Sequence, residues 1–187
     1  SMQMVREELL QTCPEGDAAL AVLTRAGIDP GQLQQADARV AANAYARLWR
    51  LLARRCNDEF FAMDPRGLPR GSLAFACRAS MLQPTLGAAL QSVLDFLALM
   101  LQDLQPALQQ QDGLAEIILH EPRPQPRRAF MYFTFWMIVH GVGCWLAGRR
   151  IPILAIDLPC AEPPYCEDYR VMFSPSLQFE RPRARMM

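Results

Sequence analysis

The sequence contains no lysine, because all 19 of its basic residues are arginine. This absence excludes Schiff-base catalysis, a phosphate-loop lysine and a lysine general base. Codon usage in a GC-rich bacterial genome is the simplest explanation of it. Net charge is absent too, since 19 acidic residues balance the arginines. The chain therefore has no overall basic field for nucleic acid or anionic lipid, and any contact with DNA is expected from another part of the protein.

Catalytic and metal-binding patterns are equally scarce. The sequence has two histidines, His120 and His140, and no Gly-x-Ser-x-Gly elbow, phosphate loop or dinucleotide-binding glycine pattern. His140 and Cys144 are four residues apart and could form a Cys–His pair or two metal ligands on one helix face. Apolar surroundings disfavour the thiolate, however, and zinc ligands usually occur as close pairs on loops. We therefore expect no catalytic residues, no metal and no cofactor.

The six cysteines are irregularly spaced and indicate no disulfide framework, which favours a reduced, cytoplasmic protein. The N-terminus has no signal-peptide layout. Ser1 before Met2 is expected to remain from a removed tag. The last predicted strand reaches Met187 without a turn or tail, as expected if the natural protein continues beyond it.

The order of predicted elements indicates one α+β domain over residues 1–187, with N-terminal helices, a small mixed or antiparallel sheet and one central buried helix. Residues 3–17 are expected to be loose. Helices are predicted at 18–26, 41–56, 72–82, after Thr85, at 129–147 and at 165–173. Strands are predicted at 104–109 and 114–119, which form a hairpin around Asp112-Gly113, and at 151–158. A last strand is predicted to begin with Leu177 and Phe179 and to run to Met187. A short helical turn is predicted after Asn57-Asp58.

The central segment, 129–147, has no formally charged side chain and is long enough to span a bilayer. One alternative is therefore a small membrane-associated protein anchored by this segment. His140 lies within the segment, and an ionisable side chain is energetically costly inside a bilayer. An arginine pair flanks each end of the segment, so the charges do not indicate how a membrane span would be oriented. The other helices each have one apolar face that must pack against an apolar partner, and the 129–147 segment can provide that partner. This favours a buried core helix at 129–147 and no membrane contact.

Three polar side chains recur on one face of this helix. Tyr132, Trp136 and His140 lie at i, i+4 and i+8 and would bring a phenol, an indole N–H and an imidazole to an apolar wall, as in a small-molecule pocket. The alternative is that they are core residues whose polar atoms find backbone partners. Further candidate ligand-binding residues are Phe75, Cys77, Tyr165 and Tyr169.

Two other patterns have both a functional and a structural interpretation. Small or adaptable residues form a rotated stripe that would allow another element to approach closely; they are Met137, Gly141, Cys144 and Gly148. Arg181, Arg183 and Arg185 could form a DNA-contacting arm, but alternation along a sheet edge, with Pro182 blocking further pairing, is simpler.

Three stretches together resemble the N-terminal effector-binding, arabinose-binding-like domain of AraC-type bacterial transcription regulators. They are Ala26-Gly-Ile-Asp-Pro-Gly-Gln-Leu with Asp37-Ala-Arg-Val, then Ala79-Ser-Met-Leu-Gln-Pro-Thr-Leu-Gly-Ala-Ala-Leu, and Pro164-Tyr-Cys-Glu-Asp-Tyr-Arg-Val-Met-Phe followed by Leu177-Gln-Phe. In the second stretch, Gln83 and Ala88 depart from the family pattern.

The polar stripe on an apolar helix predicts that the effector is small and partly apolar. The resemblance implies a sensory domain that signals to a C-terminal helix-turn-helix domain absent from this chain. It also implies a homodimer whose contact with DNA is made only through that absent domain. A dimerisation-only domain without a ligand remains a further alternative.

Overall fold

The computed structural model describes residues 1–13, 16–35, 38–123 and 125–187. They form two compact units, Ser1–Arg70 and Gly71–Met187. Seven α-helices and a five-stranded sheet are present in these described ranges, which confirms the α+β class. Asp37, part of the first family-like motif, lies outside them. The assignment of the whole chain to one domain stays a prediction.

The first unit is helical and contains α1 (Met2–Thr12), α2 (Gly16–Ala26), a 3₁₀ helix (Pro30–Gln34) and α3 (Ala42–Cys56). The expectation of a loose start was wrong, because Met2, Val5 and Leu9 share one buried face of α1. Gly27 ends α2 with a φ of 77°, as its predicted role at the helix C-terminus requires. The core of the unit is formed by apolar side chains from all three α-helices, among them Val5, Leu9, Val22, Leu23, Leu48 and Leu52.

After α3, one carboxylate organises the chain. Asp58 Oδ1 accepts hydrogen bonds from the backbone N–H groups of Phe60 (2.8 Å) and Leu68 (2.7 Å), and Oδ2 accepts one from Ala62 (2.8 Å). Phe61 and Ala62 both have a φ of 56°, outside the right-handed helical region. The predicted helical turn is therefore a loop folded around the Asp58 side chain.

The helices of the second unit are α4 (Ser72–Ser80), α5 (Leu86–Met100), α6 (Ala129–Ala147) and α7 (Cys166–Met172). Thr85 is the predicted N-cap of α5, and its hydroxyl accepts a hydrogen bond from the Ala88 N–H at 3.2 Å. A Cβ at Gly143 on α6 would contact Leu90 of α5, whereas nothing lies within 4 Å of one at Gly141. Gly143 is thus the glycine of α6 that packs closely against a neighbouring helix.

The sheet of the second unit contains β1 (Gln105–Gln111), β2 (Leu114–His120), β3 (Ile156–Asp157), β4 (Leu177–Gln178) and β5 (Ala184–Met186), in the order β1-β2-β5-β3-β4. All neighbours are antiparallel except β3 and β4. The predicted hairpin of β1 and β2 is present. Asp112 and Gly113 both have positive φ, as a tight two-residue hairpin turn requires.

The sheet-edge interpretation of the C-terminal arginines was wrong, because β5 lies in the middle of the sheet between β2 and β3. Arg185 donates from Nε to Asp157 at 2.6 Å and from NH1 to Glu116 at 2.9 Å, so carboxylates on both neighbouring strands hold it. The predicted strand over 151–158 is reduced to β3. Its preceding residues instead run beside the end of β5, where the N–H of Leu154 donates to the Met187 carbonyl.

Helix α6 is long and apolar enough to cross a membrane, but 61% of its most apolar stretch is buried within the chain. Eleven of its 19 residues are buried, and those of its first half face inward on every side. Such all-round burial is typical of the core helix of a globular domain.

Candidate functional site

A cleft of about 830 Å³ opens beside the first turn of α6. Four segments of the second unit form it: the end of β2, the connector that follows it, the loop after β3, and the residues just before β5. Its lining residues are Leu119, His120, Glu121, Gln125, Pro126, Arg127, Tyr132, Pro159, Cys160, Ala161, Pro182 and Arg183. Three of the lining residues are prolines, whose φ angles are fixed by the ring. The walls of the cleft therefore lose little conformational entropy when a ligand binds.

Tyr132, predicted as a ligand-binding residue, brings a polar atom to this cleft. Its O–H donates to Glu121 Oε1 at 2.7 Å, and the other carboxylate oxygen of Glu121 accepts from Arg127 Nε at 2.9 Å. Burial, followed by the hydrogen bond to Glu121, raises the pKa of Tyr132 above its ordinary value. Tyr132 therefore keeps its proton, and its oxygen retains a lone pair for a donor group of a ligand.

A buried ion network supports this polar surface. Arg127 NH2 lies 3.1 Å from Asp103 Oδ2, and the side chains of both residues are almost fully buried. Gln125 donates to the same Asp103 oxygen at 3.2 Å. Burial also raises the pKa of Cys160 to about 11, so its thiol is neutral at physiological pH. Charge in the interior of the cleft is thus compensated, and the positions of Glu121 and Tyr132 are fixed.

A second, smaller cavity of about 90 Å³ lies further along α6 and is almost entirely apolar. His140 and Gly143 line it together with residues from α5, β1, β2, β5 and the segment between α6 and β3, including Leu90, Leu108, Ile117, Met186 and Ile153. His140 Nε2 is 2.8 Å from the Ile151 carbonyl oxygen and 3.3 Å from Cys144 Sγ. The structure thus brings together His140 and Cys144, the two residues considered for a Cys–His pair, and the same imidazole nitrogen also contacts the Ile151 carbonyl oxygen.

Trp136 lies between these two cavities and lines neither. Its indole is fully buried against Phe135, with ring centroids 5.3 Å apart, and its N–H has no hydrogen-bond partner in the described ranges. The predicted stripe is therefore a row on one helix, with Tyr132 in the cleft, Trp136 in the core and His140 at the small cavity.

The other predicted residues lie apart from the cleft. Tyr169 is buried in a stack with Phe133, with centroids 3.4 Å apart, and Tyr165 packs against Tyr169 at 5.9 Å. Phe75 on α4 is 63% exposed and contacts Phe96, and neither it nor Cys77 lines either cavity. In the parts of the chain that the structure covers, no group of three or more metal-ligating side chains is present.

Sequence analysis missed Glu121, Arg127, Cys160 and Arg183 as lining residues. Glu121 and Arg127 lie in the proline-containing connector between β2 and α6. Opposite charges that flank a run of prolines, next to a buried helix, are the signal that could have indicated them. No local pattern relates Cys160 or Arg183 to Tyr132, because only the strand order brings them together.

Residues 16–187 match the family described as the arabinose-binding domain of AraC transcription regulators, N-terminal. No curated protein matches the chain. The match includes both cavities and every predicted site residue.

Proposed function

The chain belongs to the family of N-terminal arabinose-binding domains of AraC transcription regulators, and we propose that it binds a small, partly apolar effector in the cleft beside Tyr132. The family makes it a ligand-binding regulatory domain, with a small-molecule effector and a DNA-binding domain as its partners, and not a member of an enzyme family. A C-terminal helix-turn-helix domain would make the contact with DNA, and the regulator would act as a homodimer.

The single observation that carries this proposal is the composition of the cleft. Its volume falls in the range of about 300–1,000 Å³ that is typical of small-molecule sites. Prolines, Leu119 and Ala161 provide apolar walls, while Tyr132 and Glu121 converge as fixed polar groups. Such a surface suits a ligand with an apolar body and a small number of polar groups.

The position of the cleft provides a route for signalling. Pro182 and Arg183 line it immediately before β5, the central strand, and Leu119 and His120 end the neighbouring β2. An effector that fits one arrangement of these segments better than another would shift the population toward that arrangement. We propose that this shift changes how the DNA-binding domains of a dimer are presented.

The small cavity beside His140 has room for only a small apolar group, so we assign it a secondary role, and we place Trp136 as packing support between the two cavities. Phe75, Cys77, Tyr165 and Tyr169 do not line the cleft and are not included in the proposed site.

Removal of the Tyr132 hydroxyl tests the proposed site. A broad metabolite panel should contain a compound that raises the melting temperature of the chain, and Tyr132→Phe should weaken its binding about tenfold, the effect of one lost hydrogen bond. Isothermal titration calorimetry measures this difference. Trp145→Phe is the matched control, because Trp145 is a half-exposed aromatic residue of α6 outside the cleft. Unchanged affinity in Tyr132→Phe, or no stabilising compound in the panel, would contradict the proposal.

The buried surface of α6 also supports a cytoplasmic location without membrane contact. Cell fractionation of the natural protein should recover it in the soluble fraction. Recovery only in the membrane pellet, with release by detergent and not by salt, would support the membrane-anchored alternative.

A further inference from the structure

The charges that line the cleft differ in how they are compensated. Both oxygens of Glu121 are occupied, one by Tyr132 and one by Arg127, and Arg127 also pairs with Asp103. Tyr132 and Cys160 keep their protons, since burial raises the pKa of each. No carboxylate that lines the cleft therefore has an oxygen free of protein partners.

Arg183 is the exception among the charged groups of the cleft. The two arginines beside it in sequence are held by Asp157, with Arg181 Nε at 3.9 Å and Arg185 Nε at 2.6 Å. Arg183 is exposed and makes no ion pair or side-chain hydrogen bond with any residue that the structure describes. Its guanidinium keeps five N–H donors for a ligand.

His120, at the end of β2, lines the same cleft and is also exposed. Its imidazole has no side-chain partner within the described part of the chain, and a protonated or neutral ring provides at least one N–H donor. Glu162, which follows the Pro159–Cys160 wall, does not neutralise these groups, because it is 2.9 Å from Arg170 and outside the cleft. The uncompensated charge of the cleft is thus positive.

We propose, on the premise that the cleft is the effector site, that the effector carries an anionic oxygen group, a carboxylate or a phosphate, which binds Arg183 and His120. Its apolar body lies against Pro126, Pro159 and Pro182. A planar guanidinium is suited to this role because it can donate two parallel hydrogen bonds to one anionic group. A neutral analogue of the same shape would leave Arg183 without this partner, so the charge of the ligand determines its selection.

Three probes with the same phenyl body separate the possibilities: 4-phenylbutanoate, its neutral amide, and 2-phenylethyl phosphate. The chain has two histidines, so imidazole NMR signals of the full chain, assigned with His120→Gln, report each site separately. We expect an anionic probe to shift the His120 signals and leave those of His140 in place. The amide should cause no shift at the same concentration. A response to only one of the two anions identifies the effector class as carboxylate or phosphate.

Arg183→Gln should weaken binding of the anionic probe at least tenfold, because the charged hydrogen bonds from the guanidinium to the anionic group are lost. Arg149→Gln removes the same charge from an exposed residue outside both cavities and should leave the affinity unchanged. The inference is overturned if the amide binds as well as the anions, if Arg183→Gln retains full affinity, or if no anionic probe shifts His120. A neutral metabolite that binds the chain and loses affinity in Tyr132→Phe would overturn the anion inference while supporting the effector cleft itself.

Discussion

Replacement of Arg127 by methionine should lower the free energy of unfolding by about 3–5 kcal/mol, the usual cost of removing one partner from a buried ion pair. The Arg127 side chain is 6% exposed and pairs with two carboxylates, Asp103 at 3.1 Å and Glu121 at 2.9 Å. Methionine is similar in length and apolar, so most of the packing is kept. The loss would arise because Glu121 and Asp103 stay in a poorly solvated place without the Arg127 cation. Asp103 would keep the more exposed Arg123, at 3.6 Å. Urea denaturation followed by circular dichroism measures it.

Arg170→Met is the matched control for this variant. Arg170 also joins two carboxylates, Glu162 at 2.9 Å and Glu167 at 3.5 Å, but these are 49% and 77% exposed. Water solvates them when the arginine is removed, so the loss should be much smaller than for Arg127. Equal losses in the two variants would show that burial does not determine the contribution of the Arg127 network.

A triple variant tests the assigned cause. When Asp103→Asn and Glu121→Gln are added to Arg127→Met, the uncompensated charges disappear, and part of the lost stability should return. If the triple variant is less stable than Arg127→Met, packing or hydrogen-bond geometry, rather than charge, dominates the contribution of the network.

The elements that sequence analysis predicted correctly have local signals. Thr85 caps α5 through its own side chain, and Asp112 with Gly113 adopts the positive φ angles of the hairpin turn. Helix α6 follows from its length and uniform apolar character. In each case the residues that determine the element lie within it or next to it, so the neighbouring sequence is sufficient.

The central strand could not be predicted in this way. Strand β5 has three residues, and its place between β2 and β3 depends on partners about 30 and 70 residues away, including Asp157 and Glu116 for Arg185. Since the alternating arginines look like an exposed edge, the local pattern favoured the wrong position. Only the pairing of distant residues makes these side chains part of a central strand.

The candidate site was predicted in part for a similar reason. A stripe on one helix face was treated as the wall of one pocket, but Tyr132 and His140 are eight residues apart, or about 12 Å along the helix axis. Different segments cover the two positions, so one residue reaches the cleft and the other the small cavity. Sequence spacing identifies residues on a common face, whereas the segments packed on that face determine which cavity each one lines.

The stability of the first unit should depend on pH through Glu8. This carboxyl is fully buried in α1, and Tyr45 of α3 donates its O–H to Oε1 at 2.7 Å, while Oε2 has no partner among the described residues. Burial raises the pKa of Glu8 to about 8, and the hydrogen bond from Tyr45 offsets only part of that effect. Glu8 is thus protonated in the folded chain at neutral pH, although an unfolded chain would release the proton near its ordinary pKa of 4.5.

The direction of the effect follows from proton uptake. Between pH 4.5 and about 8 the folded chain binds one more proton than the unfolded chain, so the free energy of unfolding falls as pH rises through this window. The contribution of Glu8 to stability is fully present below the unfolded-state pKa of 4.5. It decreases by at most about 1.4 kcal/mol per pH unit between the two pKa values and levels off above the folded-state pKa of about 8. We therefore expect a total loss of a few kcal/mol across the window.

Glu8→Gln isolates this contribution, because glutamine has nearly the same shape and cannot ionise. Its stability should be close to that of the natural sequence at pH 5 and exceed it at pH 8, as measured by urea denaturation followed by circular dichroism. Asp17→Asn removes an exposed carboxylate from the same unit and should follow the natural sequence across this pH range. Parallel curves for Glu8→Gln and the natural sequence would contradict the prediction, since they would mean that the buried carboxyl has the same protonation state in the folded and unfolded chains.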